Sequence, residues 1–258
     1  MIQKGTDFFK QQSRKRLVME NELKQINFLD SRVYKRKEGV YYPSVTTILQ
    51  YMPKNKFFEE WLKDVGYNAD TIMRRAGREG TAVHEAIEQL IKGEELEWID
   101  QYGNAKYNEL VWSMILKFKD FWDMFKPEVV AVEEFVFSDT FEYAGTVDLV
   151  CKIQGETWLI DFKTSTTLQR VYDLQLASYA KAWQEMGKGE IDRTGILWLK
   201  AHTRTRNKKK FQGKGWQLKP VDEIENNFDL FQTIYKLYKL DNPKVEPIYK
   251  QYPTIVKL

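Results

Sequence analysis

Asp148, Asp161 and Lys163 are the residues whose types and spacing most plainly point to chemistry. They lie in YAGTVDLVCKIQGETWLIDFKT, residues 143–164, where β-branched and aromatic residues alternate with others on both sides of Gln154-Gly155. That pattern reads as a β-hairpin. With a two-residue turn, Ile153 faces Glu156, and counting the pairs outward sets Asp148 across from Asp161. Lys163, two residues beyond Asp161, shares its face because strand side chains repeat with period two. Neighbouring strands are about 4.8 Å apart, so opposed carboxylates can grip one hard divalent cation. Without such a partner, two acids and a lysine on an apolar hairpin are costly. The plainer alternative is an Asp161–Lys163 ion pair on a solvated face, with Asp148 an ordinary acid. The same register gathers Val147, Leu149, Cys151, Trp158, Ile160 and Phe162 on the opposite face, and a one-residue slip would scramble both sets.

Other groups of the same chemical kind surround this hairpin in sequence. His84, one of two histidines, sits in GREGTAVHEAIEQLI with Glu88 four residues on. Both share a helical face beside Val83, Ile87, Leu90 and Ile91, in a helix expected to start at Gly80 or at a capping Thr81. VVAVEEFVFS reads as a strand, and its Glu133 and Glu134 project from opposite faces. One of them is either a guard on an edge strand or a third acid of the site. Gly145 admits close approach of a backbone or phosphate, or simply relieves twist. On a later helix, from about 171 to 187, Gln175 and Tyr179 are again four apart, suited to orienting the lysine or touching a nucleotide.

The elements that must hold these residues follow in order. Residues 1–38 are polar with a helix expected over about 7–25, and Ser44 or Thr46 caps a short helix that carries Ile48 and Leu49 inward. Residues 57–77 read as helix with Phe57, Trp61, Val65, Ile72 and Met73 as its inward stripe. Polar residues 93–105 and an aromatic helix over 107–125 suggest a lobe inserted before the sheet. TGILWLKA, 194–201, reads as another strand, and 222–240 as a closing amphipathic helix carrying Phe228, Phe231, Ile234, Tyr235 and Tyr238.

The 258 residues carry a net charge of +3, 30% charged residues and 14% aromatics. The aromatic surplus suits base stacking as well as core. Positive charge is concentrated where it could meet phosphates: Arg74, Arg75 and Arg78, then Arg204, Arg206, Lys208, Lys209 and Lys210 in a run, HTRTRNKKKFQGKGW, without a single acid. An unbalanced basic run in a nearly neutral chain is the footprint of a polyanionic partner. The sole cysteine, Cys151, rules out a disulfide framework and a four-cysteine iron–sulfur cluster within the chain and fits a reducing, cytoplasmic setting. No stretch approaches the roughly 20 apolar residues of a membrane span.

GTAVHEAIE, GTVDLV, IDFKT and QLASY, in that order over roughly residues 80–200, resemble the PD-(D/E)XK nuclease superfamily, and within it the RecB-like exonuclease branch. PSVTTIL extends the likeness toward mitochondrial genome maintenance exonuclease and similar phage-encoded exonucleases. The superfamily's proline has no counterpart before Asp148, where Val147 stands. The resemblance implies an α/β (α+β) fold, a mixed central sheet flanked by helices with a restriction-endonuclease-like α-β-β-β-α-β core and extra helical elements at both ends. Its expected parts are an N-terminal helical segment over 1–79, the nuclease core over 80–201 with a helical insertion at about 93–126, and the basic loop, closing helix and tail over 202–258. It also implies that His84, Asp148, Asp161 and the main-chain carbonyl of Phe162 hold Mg²⁺ or Mn²⁺, and that Lys163 orients or deprotonates the attacking water. Glu133 or Glu134 joins them, with Glu88, Gln175 and Tyr179 in support. The implied function is a metal-dependent exonuclease on single-stranded DNA ends. The alternatives are an endonuclease on the same core or a binding module without catalysis.

Overall fold

The computed structural model describes residues 24–28, 31–200, 215–247 and 255–257. The basic run 204–210 and most of the helix expected over 7–25 lie outside them. The described chain opens with three antiparallel strands, β1 (Lys24–Phe28), β2 (Ser31–Lys37) and β3 (Val40–Pro43). The N-terminal segment is therefore not wholly helical as expected. Tyr34 and Tyr42 of this small sheet are buried, and they pack with Ala144 as an aromatic cluster that no helical pattern would have matched. Ser44 then caps the short helix α1 (Val45–Ile48), accepting from Thr47 N at 3.0 Å, and Ile48 and Leu49 are buried as expected.

Helix α2 (Lys56–Val65) buries none of its residues, and a short 3₁₀ turn joins it to α3 (Ala69–Ile91). Of the expected inward stripe, Trp61 and Val65 are half-buried, but Phe57 is 81% exposed, and Ile72 and Met73 are exposed too. A helix start at Gly80 or Thr81 is also wrong, because α3 runs unbroken through both residues, and the boundary expected at 79/80 falls inside it. Pattern alone missed this because Arg74, Arg75, Gly77 and Gly80 dilute the apolar period of a helix whose first half packs against little.

Helix α4 (Glu109–Phe125) is no separate lobe. Its Val111, Met114, Ile115, Phe118 and Phe121 share one core with Val83, Ile87 and Ile91 of α3 and one face of the central sheet. That sheet has five strands in sequential order, β4 (Glu128–Ser138), β5 (Tyr143–Ile153), β6 (Glu156–Lys163), β7 (Arg193–Trp198) and β8 (Gln217–Pro220). All neighbours are antiparallel except β6 and β7, whose parallel pairing is closed by the crossover helix α5 (Arg170–Glu185). Strand β8 was not anticipated from its four polar-flanked residues. The closing helix α6 (Ile224–Asp241) buries Phe228, Phe231, Ile234, Tyr235 and Tyr238, the stripe read from its period, beside α5 on the other sheet face. No helix among the described residues is long and apolar enough to cross a membrane.

The hairpin register holds pair by pair: Ile153 faces Glu156 and the count runs outward to Leu149 facing Ile160. The expected division of faces does not. Leu149, Cys151, Ile160 and Phe162 pack toward α3 and α4, whereas Val147 packs toward α5 with Val150 and Leu159. Alternation breaks at Asp148, opposite Glu133, whose φ of 46° lies in the left-handed region. Both faces of the hairpin are thus buried in apolar cores, and the acids lie where the regular pleat fails.

Candidate active site

Three elements converge at this break. Helix α3 brings His84, β4 brings Glu133 at its irregular residue, and the β5–β6 hairpin brings Asp148, Asp161 and Lys163. One ligand atom each from His84, Glu133 and Asp148 can be chosen so that all lie within 4.8 Å of one another. Beyond the last ladder pair the Asp148 carboxylate accepts a hydrogen bond from Phe162 N at 2.7 Å, locking the two strands where their side chains meet. His84 Nδ1 is 3.5 Å from Asp148 Oδ1, and Nε2 is 3.2 Å from the Phe162 carbonyl oxygen. A carbonyl only accepts, so that contact needs a proton on Nε2.

Asp161 is 1% exposed. Its Oδ1 accepts from Gln175 Nε2 at 2.9 Å, and its Oδ2 lies 2.6 Å from Lys163 Nζ. Lys163 also donates to Gln175 Oε1 at 3.2 Å and sits 4.7 Å above the Tyr172 ring. Gln175 Nε2 also reaches the Tyr179 hydroxyl at 3.1 Å, so one amide ties acid, lysine and phenol together. The Tyr179 ring lies against Gly145, where an added Cβ would come within 2.3 Å of Cε1. A side chain of the protein, and not a phosphate, occupies the space that Gly145 leaves.

Charge balance follows from this burial. Burial and the neighbouring Asp148 charge push the Glu133 carboxyl up to about 8. Burial likewise raises Asp161, to about 6, with Lys163 pulling the other way. Burial favours neutral His84, but the adjoining Asp148 carboxylate outweighs it and lifts the imidazole to about 9. For Asp148, burial acts upward and is overcome by His84, so its carboxyl is held low. Lys163 is also buried, yet Asp161 keeps its ammonium charged and its pKa raised. Two buried carboxylates and the half-buried Glu133 thus face one lysine and one imidazole.

The structure brings together His84, Glu133, Asp148, Asp161, Phe162, Lys163, Gln175 and Tyr179. It separates the two adjacent glutamates: Glu134 ion-pairs with Lys188, leaving Glu133 with the acids. Glu88 ion-pairs with Lys92, though its charge still adds to the rise at Glu133. Arg74, Arg75 and Arg78 are exposed on α3, with Arg75 3.0 Å from Glu79, and Arg78 is about 9 Å of helix before His84. Arg204, Arg206, Lys208, Lys209 and Lys210 lie outside the described residues. Sequence reasoning missed Tyr172 under the lysine and the packing of Tyr179 on Gly145; the spacing of neither residue signalled it.

The donor set fits a hard divalent cation. Carboxylate oxygens, a main-chain carbonyl and an imidazole suit Mg²⁺ or Mn²⁺, and His84, Glu133 and Asp148 offer ligand atoms close enough to share one ion. The chain was also compared with known proteins. A family model of the PD-(D/E)XK nuclease superfamily matches residues 56–250, well over half of the chain. No curated protein gives a significant match. Among solved structures, a crystal structure of a "Putative exonuclease" from Eubacterium rectale is similar at a TM-score of 0.40 and 13% identity, over 68% of this chain and 75% of that one. At that overlap, the assignment rests on the family match and the sheet topology.

Proposed function

Since the chain belongs to the PD-(D/E)XK nuclease superfamily, we propose that it is a metal-dependent deoxyribonuclease acting as an exonuclease on single-stranded DNA ends. The observation that carries this reading is the convergence of His84, Glu133 and Asp148, with ligand atoms within 4.8 Å of one another, beside a buried Asp161–Lys163 ion pair. Asp148, Asp161, His84 and the Phe162 carbonyl would hold Mg²⁺ or Mn²⁺, with Glu133 as the further acid. A bound cation supplies Lewis acidity and a lower pKa for coordinated water. Lys163 orients the attacking water and offsets charge that builds on the phosphorane-like transition state. Gln175 fixes Lys163 and Asp161 relative to each other, and Tyr179 fixes Gln175. The aromatic surplus and the acid-free basic run support tracking of a single strand by stacking and backbone contacts.

The test is incubation of 5′- and 3′-labelled single- and double-stranded DNA, and of closed circles, with Mg²⁺, Mn²⁺ or EDTA. Stepwise loss of nucleotides from single-stranded ends, abolished by EDTA, is expected. Cleavage of closed circles would make the enzyme an endonuclease, and shifted but uncut DNA would make it a binding module.

A further inference from the structure

The small N-terminal sheet lies beside the acid cluster and brings a cation with it. Ser44, following β3, bridges in parallel to Ala144 of β5, and β2 is antiparallel to β3, so β2 runs antiparallel to β5. The alignment is fixed by Tyr34, fully buried on β2, whose hydroxyl lies 3.0 Å from Thr146 Oγ1 and whose ring meets Phe135 of β4 edge-on at 5.9 Å. Two residues along β2 on the same face comes Arg32. The matching step along β5, from Thr146, leads toward Asp148, where the pleat breaks opposite Glu133.

Arg32 is exposed and held in place. Its Nε donates to Asn27 Oδ1 at 3.2 Å from the facing position on β1, and its carbonyl accepts from Ser44 N at 3.2 Å and Thr47 Oγ1 at 3.3 Å. Among the described residues its side chain meets the neutral Asn27 amide and the Tyr34 hydroxyl, and it forms no ion pair. Its charge nevertheless reaches the cluster, acting against the upward push on Glu133. With Nε engaged by Asn27 and one further N–H by the Tyr34 hydroxyl, three N–H donors of the guanidinium remain for the oxygens of one phosphate.

Resting on the nuclease reading above, we propose that Arg32 is a substrate-binding residue of this site, a guanidinium that grips a DNA phosphate at the Glu133 side of the acid cluster. A cluster rich in carboxylates repels a phosphodiester. A fixed cation at its rim offsets that repulsion without competing for the acids, and its fork geometry orients the phosphate toward Lys163.

The test uses the full chain and its Arg32→Ala and Arg32→Lys variants. Cleavage of end-labelled single-stranded DNA, Mn²⁺ affinity by calorimetry, thermal melting, and the salt dependence of DNA binding in EDTA are measured. We expect Arg32→Ala to lose about 10- to 100-fold in kcat/KM, since a hydrogen-bonded charge pair is removed. Arg32→Lys should recover part of it, because charge is kept and the fork lost. The slope of log affinity against log salt should become shallower by about 0.7, one phosphate contact on a single strand. Melting should not move, and Mn²⁺ affinity should not fall, since a neighbouring cation is lost and not a ligand. Unchanged kcat/KM, or a loss that tracks a fall in melting temperature or Mn²⁺ affinity, would overturn the assignment. If the wild-type chain cuts no DNA, the nuclease reading itself falls and Arg32 with it, whereas an active wild type beside an equally active Arg32→Ala removes only the arginine.

Discussion

The acid cluster has two halves built from the same residue types and balanced in opposite ways. Around Asp161, each acidic oxygen has a neighbour of complementary charge or a donor: Lys163, Gln175 and, behind them, Tyr179 and Tyr172. Around Glu133 and Asp148, the two acids face each other, the Phe162 N–H donates to Asp148, and the nearest counter-charge is an imidazole that must hold an extra proton to serve as one. The first half is a positioned lysine in a packed frame. The second is a set of ligands whose charge a divalent cation would meet. The bracing of the lysine therefore needs no metal, whereas the other half would change its protonation if a metal bound.

The sharpest way to break this comparison is to remove the lysine. Lys163→Ala should slow cleavage by about 10³-fold or more while leaving Mn²⁺ affinity nearly intact, measured by single-turnover assay and calorimetry side by side. A wild-type rate would show that the packed half plays no chemical part. Next in size is the response of the other half to pH. Glu133 at about 8 and His84 at about 9 must each lose a proton to become ligands, so the sign is fixed. Mn²⁺ affinity should fall about tenfold per unit as pH drops below about 9, where His84 takes up its proton, and more steeply below about 8, where Glu133 does too. A flat profile between pH 6 and 8 would place the metal away from both groups. Smallest is a test of the frame itself: Gly145→Ala would press a methyl into the Tyr179 ring and should destabilise the fold by about 1–3 kcal/mol, read from chemical denaturation. If stability is unchanged, Tyr179 moves freely and does not brace Gln175.

How much of this was legible in the chain varies residue by residue. The hairpin register could be counted from Gln154-Gly155, since a two-residue turn leaves one pairing, and the closing helix could be read from its aromatic period. The faces of the hairpin could not be read, because alternation assumes a regular pleat and Glu133 adopts a left-handed φ exactly where Asp148 passes it. The choice between Glu133 and Glu134 was open for the same reason: both have one chemistry, and Lys188, far along the chain, claims Glu134. The outward stripe of Phe57, Ile72 and Met73 shows the limit of periodicity, which marks an apolar face without saying what covers it.

By itself the sequence determined which side chains are capable of the chemistry and that strand period and turn length would draw Asp148, Asp161 and Lys163 to one end of a hairpin. Tertiary structure decided which glutamate lies with them, that Gln175 and Tyr179 brace the lysine, and that a small sheet from more than a hundred residues earlier, with Tyr34 on Thr146, packs against β5. The physical reason is range: pairing within a hairpin is set by local backbone geometry, whereas contacts between distant segments depend on how whole faces pack, which no short stretch of residues encodes.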